Sequence, residues 1–157
     1  MIQKEININY FEYQHSELLE EDKVLVSKAN EFALKSYSPY SNFRVGVSVL
    51  LENGLIISGN NQENAAYPSG LCAERVALFF ANANYPDNHI KTIAIAAFDN
   101  NNNQFENIIT PCGACRQVIV EIENRFEKNC KILLTSKDKV IEFKSIKDLL
   151  PFSFGKK

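Results

Sequence analysis

Two short stretches carry the reactive side chains of this chain. Residues 71–80 read LCAERVALFF and residues 110–117 read TPCGACRQ. Cys112 and Cys115 have the two-residue gap that lets both thiols face one metal ion. Cys72 lies forty residues upstream. Each stretch opens a predicted helix, and the electropositive start of a helix favours thiolate over thiol. Three thiolates meeting where two helix starts converge leave a fourth metal position open to water. That is the arrangement of a catalytic zinc rather than a structural one. Zinc in such a site brings the pKa of its water from ~15.7 towards ~7. Glu74, two residues past Cys72, is placed to take a proton from that water and return it to a substrate. Arg75 is placed to donate to the thiolate sulfurs and offset part of their charge.

Each of these readings has a plainer rival. A Cys-x-x-Cys pair alone fits a redox couple or a structural zinc knuckle. The upstream Cys-Ala-Glu and the proline before the pair argue against both. Arg75 without Glu74 would read as a solvated helix residue. Cys130 has no motif around it and is expected to be a buried, inert thiol. His15 and His89 lie near loops and are expected at the surface.

The elements that must position these groups follow from periodicity. Residues 16–36 have helical spacing, with Leu18, Leu25, Ala29 and Phe32 on one stripe, and Pro39 ends that run. FRVGVSVLL and LIISGN read as two strands joined by a turn with Asn-Gly at its centre. LCAERVALFFANAN is a helix, and IKTIAIAAF is a strand apolar almost throughout. The asparagine-rich DNNNNQFEN is a solvated loop with no assigned role. A second helix follows PCGAC, then two strands, CKILLTS and KVIEFKS, and a Ser-x-x-Asp cap. The first ~15 residues alternate polar and apolar, as an edge strand or a loose arm would. The sum is an α/β fold: a three-layer α/β/α sandwich around a mixed five-stranded sheet. The helix between the second and third strands suits a crossover between parallel strands.

Size and composition agree with one domain over residues 1–157, in which 1–20 form an N-terminal extension of no evident role. The composition is 45% hydrophobic and 23% charged, ordinary for a globular protein, and the formal net charge is -2. That balance argues against nucleic acid as a partner, and no apolar run is long enough to span a membrane. The N-terminus has no apolar leader and the cysteines fit a reducing compartment, so a cytoplasmic location is expected.

The ligand-x-Glu and Pro-Cys-x-x-Cys pairing is the signature of zinc deaminases. More closely, the chain resembles cytidine deaminases of the small, homotetrameric, three-cysteine type. The resemblance runs from SPYSNFRVG at residue 38 to LLPFSF ending at 154, and includes NQENAAY, CAERVAL and PCGACRQV in order. It implies one zinc per chain on Cys72, Cys112 and Cys115, with Glu74 as the proton shuttle. It implies Asn61 and Glu63 as readers of the ribose hydroxyls, Phe43 as the aromatic against the pyrimidine, and the Ala73 backbone as a guide for the base. It implies that Tyr67 and Arg75 tie the zinc helix to its surroundings. Tyr67 and Phe154 would meet a neighbouring subunit, and Phe154 would complete that neighbour's active site. The implied reaction is hydrolytic deamination of cytidine and 2′-deoxycytidine to uridine and 2′-deoxyuridine, with release of ammonia, in pyrimidine salvage. Read from the residues themselves, Asn61 and Glu63 also fit simple loop caps, and Phe43 fits plain core. Two other functions stay open at this level: a deaminase of a modified aminopyrimidine nucleoside, and a zinc-stabilised binding protein without catalysis.

Overall fold

The computed structural model describes residues 1–155. Six strands and three helices occur among them, in the order β1 (Phe11–Gln14), α1 (Glu20–Ala33), β2 (Arg44–Leu51), β3 (Ile56–Asn60), α2 (Ala73–Asn84), β4 (Ile90–Phe98), α3 (Gly113–Phe126), β5 (Lys131–Thr135) and β6 (Lys139–Phe143). They form one mixed sheet of strand order β1-β6-β5-β4-β2-β3. Only β4 and β5 pair in parallel, and α3 is the crossover between them.

Each central strand buries both faces, which is why its sequence is apolar almost without alternation. Val47, Val49, Ile93, Ile95, Ile132 and Leu134 face one side and pack with α2 and α3. Leu50, Ala94, Ala96, Phe98 and Leu133 face the other and pack with α1. The small residues on the α1 side let that helix come close. A Cβ built on Gly46 would stand 2.1 Å from the Ala29 carbonyl oxygen and 2.2 Å from the Ala33 nitrogen. Gly54, at φ +86°, supplies the left-handed residue of the β2–β3 turn.

The sheet has six strands where the sequence predicts five. The additional strand is β1, which pairs antiparallel with β6 and covers the main-chain groups that β6 would otherwise present as an open edge. Of the two readings of the N-terminal segment, the edge strand is the correct one for residues 11–14. Tyr10 packs its ring 5.7 Å from that of Phe143, and Lys139 pairs with Glu12 at 2.8 Å. The strands β3 and β4 that flank α2 run in the same direction, but β2 lies between them, antiparallel to both. The α2 crossover therefore skips one strand. His89 corrects a second expectation: it is 5% exposed, with its ring edge-on to Phe126 and Nε2 3.9 Å from Cys130 Sγ. Cys130 is fully buried, as predicted.

Candidate active site

Helices α2 and α3 cover the same face of the sheet, and both start beyond the carboxyl ends of the strands that precede them, β3 and β4. Ligand sites in α/β sheets form in such places. Cys72 and Cys112 are the N-cap residues of α2 and α3, in extended backbone (φ -66°, ψ 151° and φ -67°, ψ 165°). Neither spends its side chain on capping. Cys115 sits in the first turn of α3 and is fully buried. The three sulfurs lie within 4.8 Å of one another, with Cys112 and Cys115 3.5 Å apart. Tetrahedral zinc with Zn–S bonds of ~2.3 Å separates its sulfurs by roughly 3.8 Å, so this spacing fits.

The charge of the cluster points the same way. Hydrogen bonding to Cys115 and Arg75 draws the Cys72 thiol down to about 5, against the opposing effect of burial. Cys115 is pushed up by its contact with Cys72 and by burial. Three sulfurs this close cannot all ionise without a cation among them, and a divalent ion is what the donor set fits. Arg75 Nη2 donates to Cys72 Sγ at 3.7 Å, while its Nε is buried without a partner among the described residues.

Glu74 is 5% exposed, and burial, with Cys72 beside it, pushes its carboxyl up. It opens into a cavity of about 340 Å³ lined also by Phe43, Asn61, Glu63, Cys72, Ala73 and Cys112. The structure thus gathers every predicted catalytic and substrate-binding residue around one space. Glu63 Oε2 accepts from the backbone nitrogens of Tyr40, at 2.9 Å, and Ser41, at 3.3 Å. Burial pulls its carboxyl up, but these bonds and one from the Ser41 side chain hold it below its usual range. Asn61 bridges two residues at the start of the neighbouring β2 strand: Oδ1 accepts from Val45 N at 2.8 Å and Nδ2 donates to Phe43 O at 2.9 Å. Tyr67 and Arg75 line an adjoining cavity of about 450 Å³, where Tyr67 is 76% exposed and meets Tyr40 edge-on. Phe154 lies in neither space. The residue is 87% exposed, and its backbone is held at both groups by the Gln117 amide, at 2.8 and 3.2 Å.

Two residues that the sequence reading passes over also serve the site. Arg116 donates to Pro111 O at 2.7 Å, Thr110 Oγ1 at 3.0 Å and Leu149 O at 2.7 Å, which fixes the loop leading into Cys112. Its position directly after Cys115 was the available signal. Ser41 lines the cavity and accepts from Phe43 N at 3.1 Å, with no signal beyond its place in the SPYSN turn.

Known proteins agree with this geometry. Residues 19–128 match the family described as the cytidine and deoxycytidylate deaminase zinc-binding region. A cytidine deaminase of Sporosarcina psychrophila is 37% identical over 132 residues, covering 84% of this chain and 90% of the relative. One from Halalkalibacterium halodurans is 35% identical over 132 residues, covering 84% and 92%. Among solved structures, the cytidine deaminase of Burkholderia pseudomallei superposes with a TM-score of 0.68 at 35% identity, covering 83% of this chain and 97% of that one. The Mycobacterium tuberculosis enzyme gives 0.63 at 28% identity, covering 88% and 99%. Three clustered cysteines fit for a single zinc ion, an acid buried beside them and a match over most of the length lead to one conclusion: this chain belongs to the cytidine and deoxycytidylate deaminase family.

Proposed function

We propose that this protein is a cytidine deaminase, hydrolysing cytidine and 2′-deoxycytidine to uridine and 2′-deoxyuridine with release of ammonia, in pyrimidine salvage. One observation carries the reading: Glu74 is buried beside the three-cysteine cluster and opens into the same cavity as Phe43, Asn61 and Glu63. Cys72, Cys112 and Cys115 hold the zinc ion, which when bound makes water acidic enough to supply a nucleophile at neutral pH.

The protein's own groups do the rest. Phe43 offers an apolar face to the pyrimidine, and the Ala73 backbone guides the base towards the thiol cluster. Glu63 and Asn61 receive the ribose; each retains hydrogen-bonding capacity beyond the backbone contacts it makes. Glu74 accepts a proton from the attacking water and delivers it to N3. It then carries the second proton to the departing amine at C4. One carboxylate serves both transfers, and burial, which raises its carboxyl, brings the protonated form within reach. Arg75, donating to Cys72, moderates the negative charge of the cluster.

The resemblance further supports a homotetramer in which Tyr67 and Phe154 face a neighbouring subunit and Phe154 completes its active site. The exposure of both rings is consistent with such a role. A reducing, cytoplasmic location suits four free thiols. Loss of ultraviolet absorbance on incubation with cytidine, with and without a zinc chelator, tests the activity. Zinc-loaded protein that leaves cytidine and 2′-deoxycytidine unchanged refutes the substrate assignment. Light scattering at several concentrations tests the tetramer.

A further inference from the structure

The asparagine-rich loop after β4 takes no part in the chemistry above, yet it is built onto the cavity wall. Asp99 shapes it by accepting from the backbone nitrogens of Asn101 at 2.8 Å and Asn103 at 2.9 Å. The loop then reaches across to the start of β2. Asn102 Oδ1 accepts from Arg44 Nη1 at 3.0 Å. One residue before Arg44, Phe43 meets the ring of Phe105 with centroids 5.2 Å apart and planes inclined by 30°. Phe105 is anchored at both of its backbone groups: N donates to Ala97 O at 3.4 Å and O accepts from Lys137 N at 3.0 Å. Its neighbour Gln104 donates to Thr135 Oγ1 at 3.3 Å. The β4 strand, the β5–β6 turn and the loop therefore hold Phe105 in place.

Phe43 needs such support. It follows Asn42, a left-handed residue at φ +55°, and its carbonyl is tied to Asn61, but its side chain stands at the rim of an open space. A free aromatic side chain loses rotamer entropy when it packs on a ligand, whereas one already held does not. Phe43 lines the cavity and Phe105 does not, so the stack braces Phe43 from behind.

We propose that Phe105 is a positioning residue for substrate binding: it stacks on Phe43 and fixes that ring in the orientation that packs against the pyrimidine. The proposal rests on the assignment of Phe43 to the base-facing wall. An offset aromatic pair is worth about a 2- to 12-fold change in an equilibrium.

The test is a kinetic double-mutant cycle of Phe43→Leu and Phe105→Leu on the zinc-loaded enzyme. Phe105→Leu is expected to raise KM for cytidine by about 2- to 12-fold, with kcat held to about twofold and zinc content unchanged. Phe105→Tyr restores the wild-type KM. Phe105→Leu adds no further rise once Phe43 is leucine. An unchanged KM in Phe105→Leu, when Phe43→Leu raises it, overturns the inference alone. So does an equal rise in both backgrounds, or a loss of kcat or zinc in place of a rise in KM. A wild-type KM in Phe43→Leu overturns the assignment of Phe43 itself, and the inference with it.

Discussion

Replacing Glu74 by glutamine separates catalysis from everything else the site does. The side chain is 5% exposed, and glutamine is nearly isosteric with glutamate, so no cavity opens and the first turn of α2 keeps its packing. The three sulfurs are untouched, and zinc stays bound. What is lost is the ability to accept and return a proton. A positioned acid–base group contributes about 10²–10⁴-fold, or roughly 3–5.5 kcal/mol at 1.36 kcal/mol per decade. In the proposed mechanism one carboxylate serves both transfers, so the loss belongs at the upper end. The expected result is a kcat about 10³–10⁴ below wild type, KM changed by less than about threefold, and full zinc content. The thermal midpoint stays at or above the wild-type value, since a carboxyl that burial pushes up is replaced by a neutral amide. The assay is ultraviolet-monitored cytidine turnover beside metal analysis of the same sample. A Glu74→Gln protein with full zinc and a kcat within about a hundredfold of wild type refutes the proton-shuttle argument (a hundredfold is about the smallest loss such a step allows).

Other perturbations test the scaffold. Gly46→Ala places a methyl 2.1 Å from the Ala29 carbonyl, against helix backbone that cannot rotate away. The cost is at least the ~1–3 kcal/mol of ordinary overpacking, read as a lower urea midpoint. Removing residues 1–14 deletes β1 and uncovers the edge of β6. Four lost cross-strand pairs amount to roughly 1–4 kcal/mol, and concentration-dependent light scattering should rise as bare edges meet. His89 has a pKa below its ordinary 6.5, chiefly through burial and then through Lys128, partly offset by Glu52. A depressed histidine is neutral in the fold, so its contribution is present above pH 6.5 and is lost as pH falls below that value. The wild-type urea midpoint should therefore drop on acidification more steeply than that of His89→Phe.

Much of this architecture was legible in the sequence, and for physical reasons. The β4 strand falls on residues 90–98 as its apolar run dictates, because a strand buried on both faces leaves no other reading. Helix α2 begins at Ala73 rather than Leu71, since Cys72 takes the extended backbone of a cap. Helix α1 begins at Glu20 rather than residue 16 because His15–Glu17 form a short 3-10 turn of their own. The β1 strand was ambiguous because its partner is more than a hundred residues away and its side chains are mostly exposed. The burial of His89 is hidden from its local sequence for a related reason: its surroundings, Phe126 and Cys130, come from the end of α3 and the residue before β5. The thiol cluster, by contrast, is encoded in local spacing at two helix starts. The stack of Phe105 on Phe43 had no such local signature, because it depends on how a polar loop folds back over β2.

The division of the three sulfurs between two helices has a consequence for how the fold is assembled. Cys112 and Cys115 share one turn and can approach a metal as soon as α3 forms, but Cys72 arrives only when α2 is docked on the same side of the sheet. Full ligation is therefore a clasp across two crossover units, and it rewards tertiary assembly rather than helix formation. Free zinc at a hundred times its dissociation constant favours the native state by about 2.7 kcal/mol. Chelation should accordingly loosen the seam between α2 and α3 first, in the region around the cavity mouth.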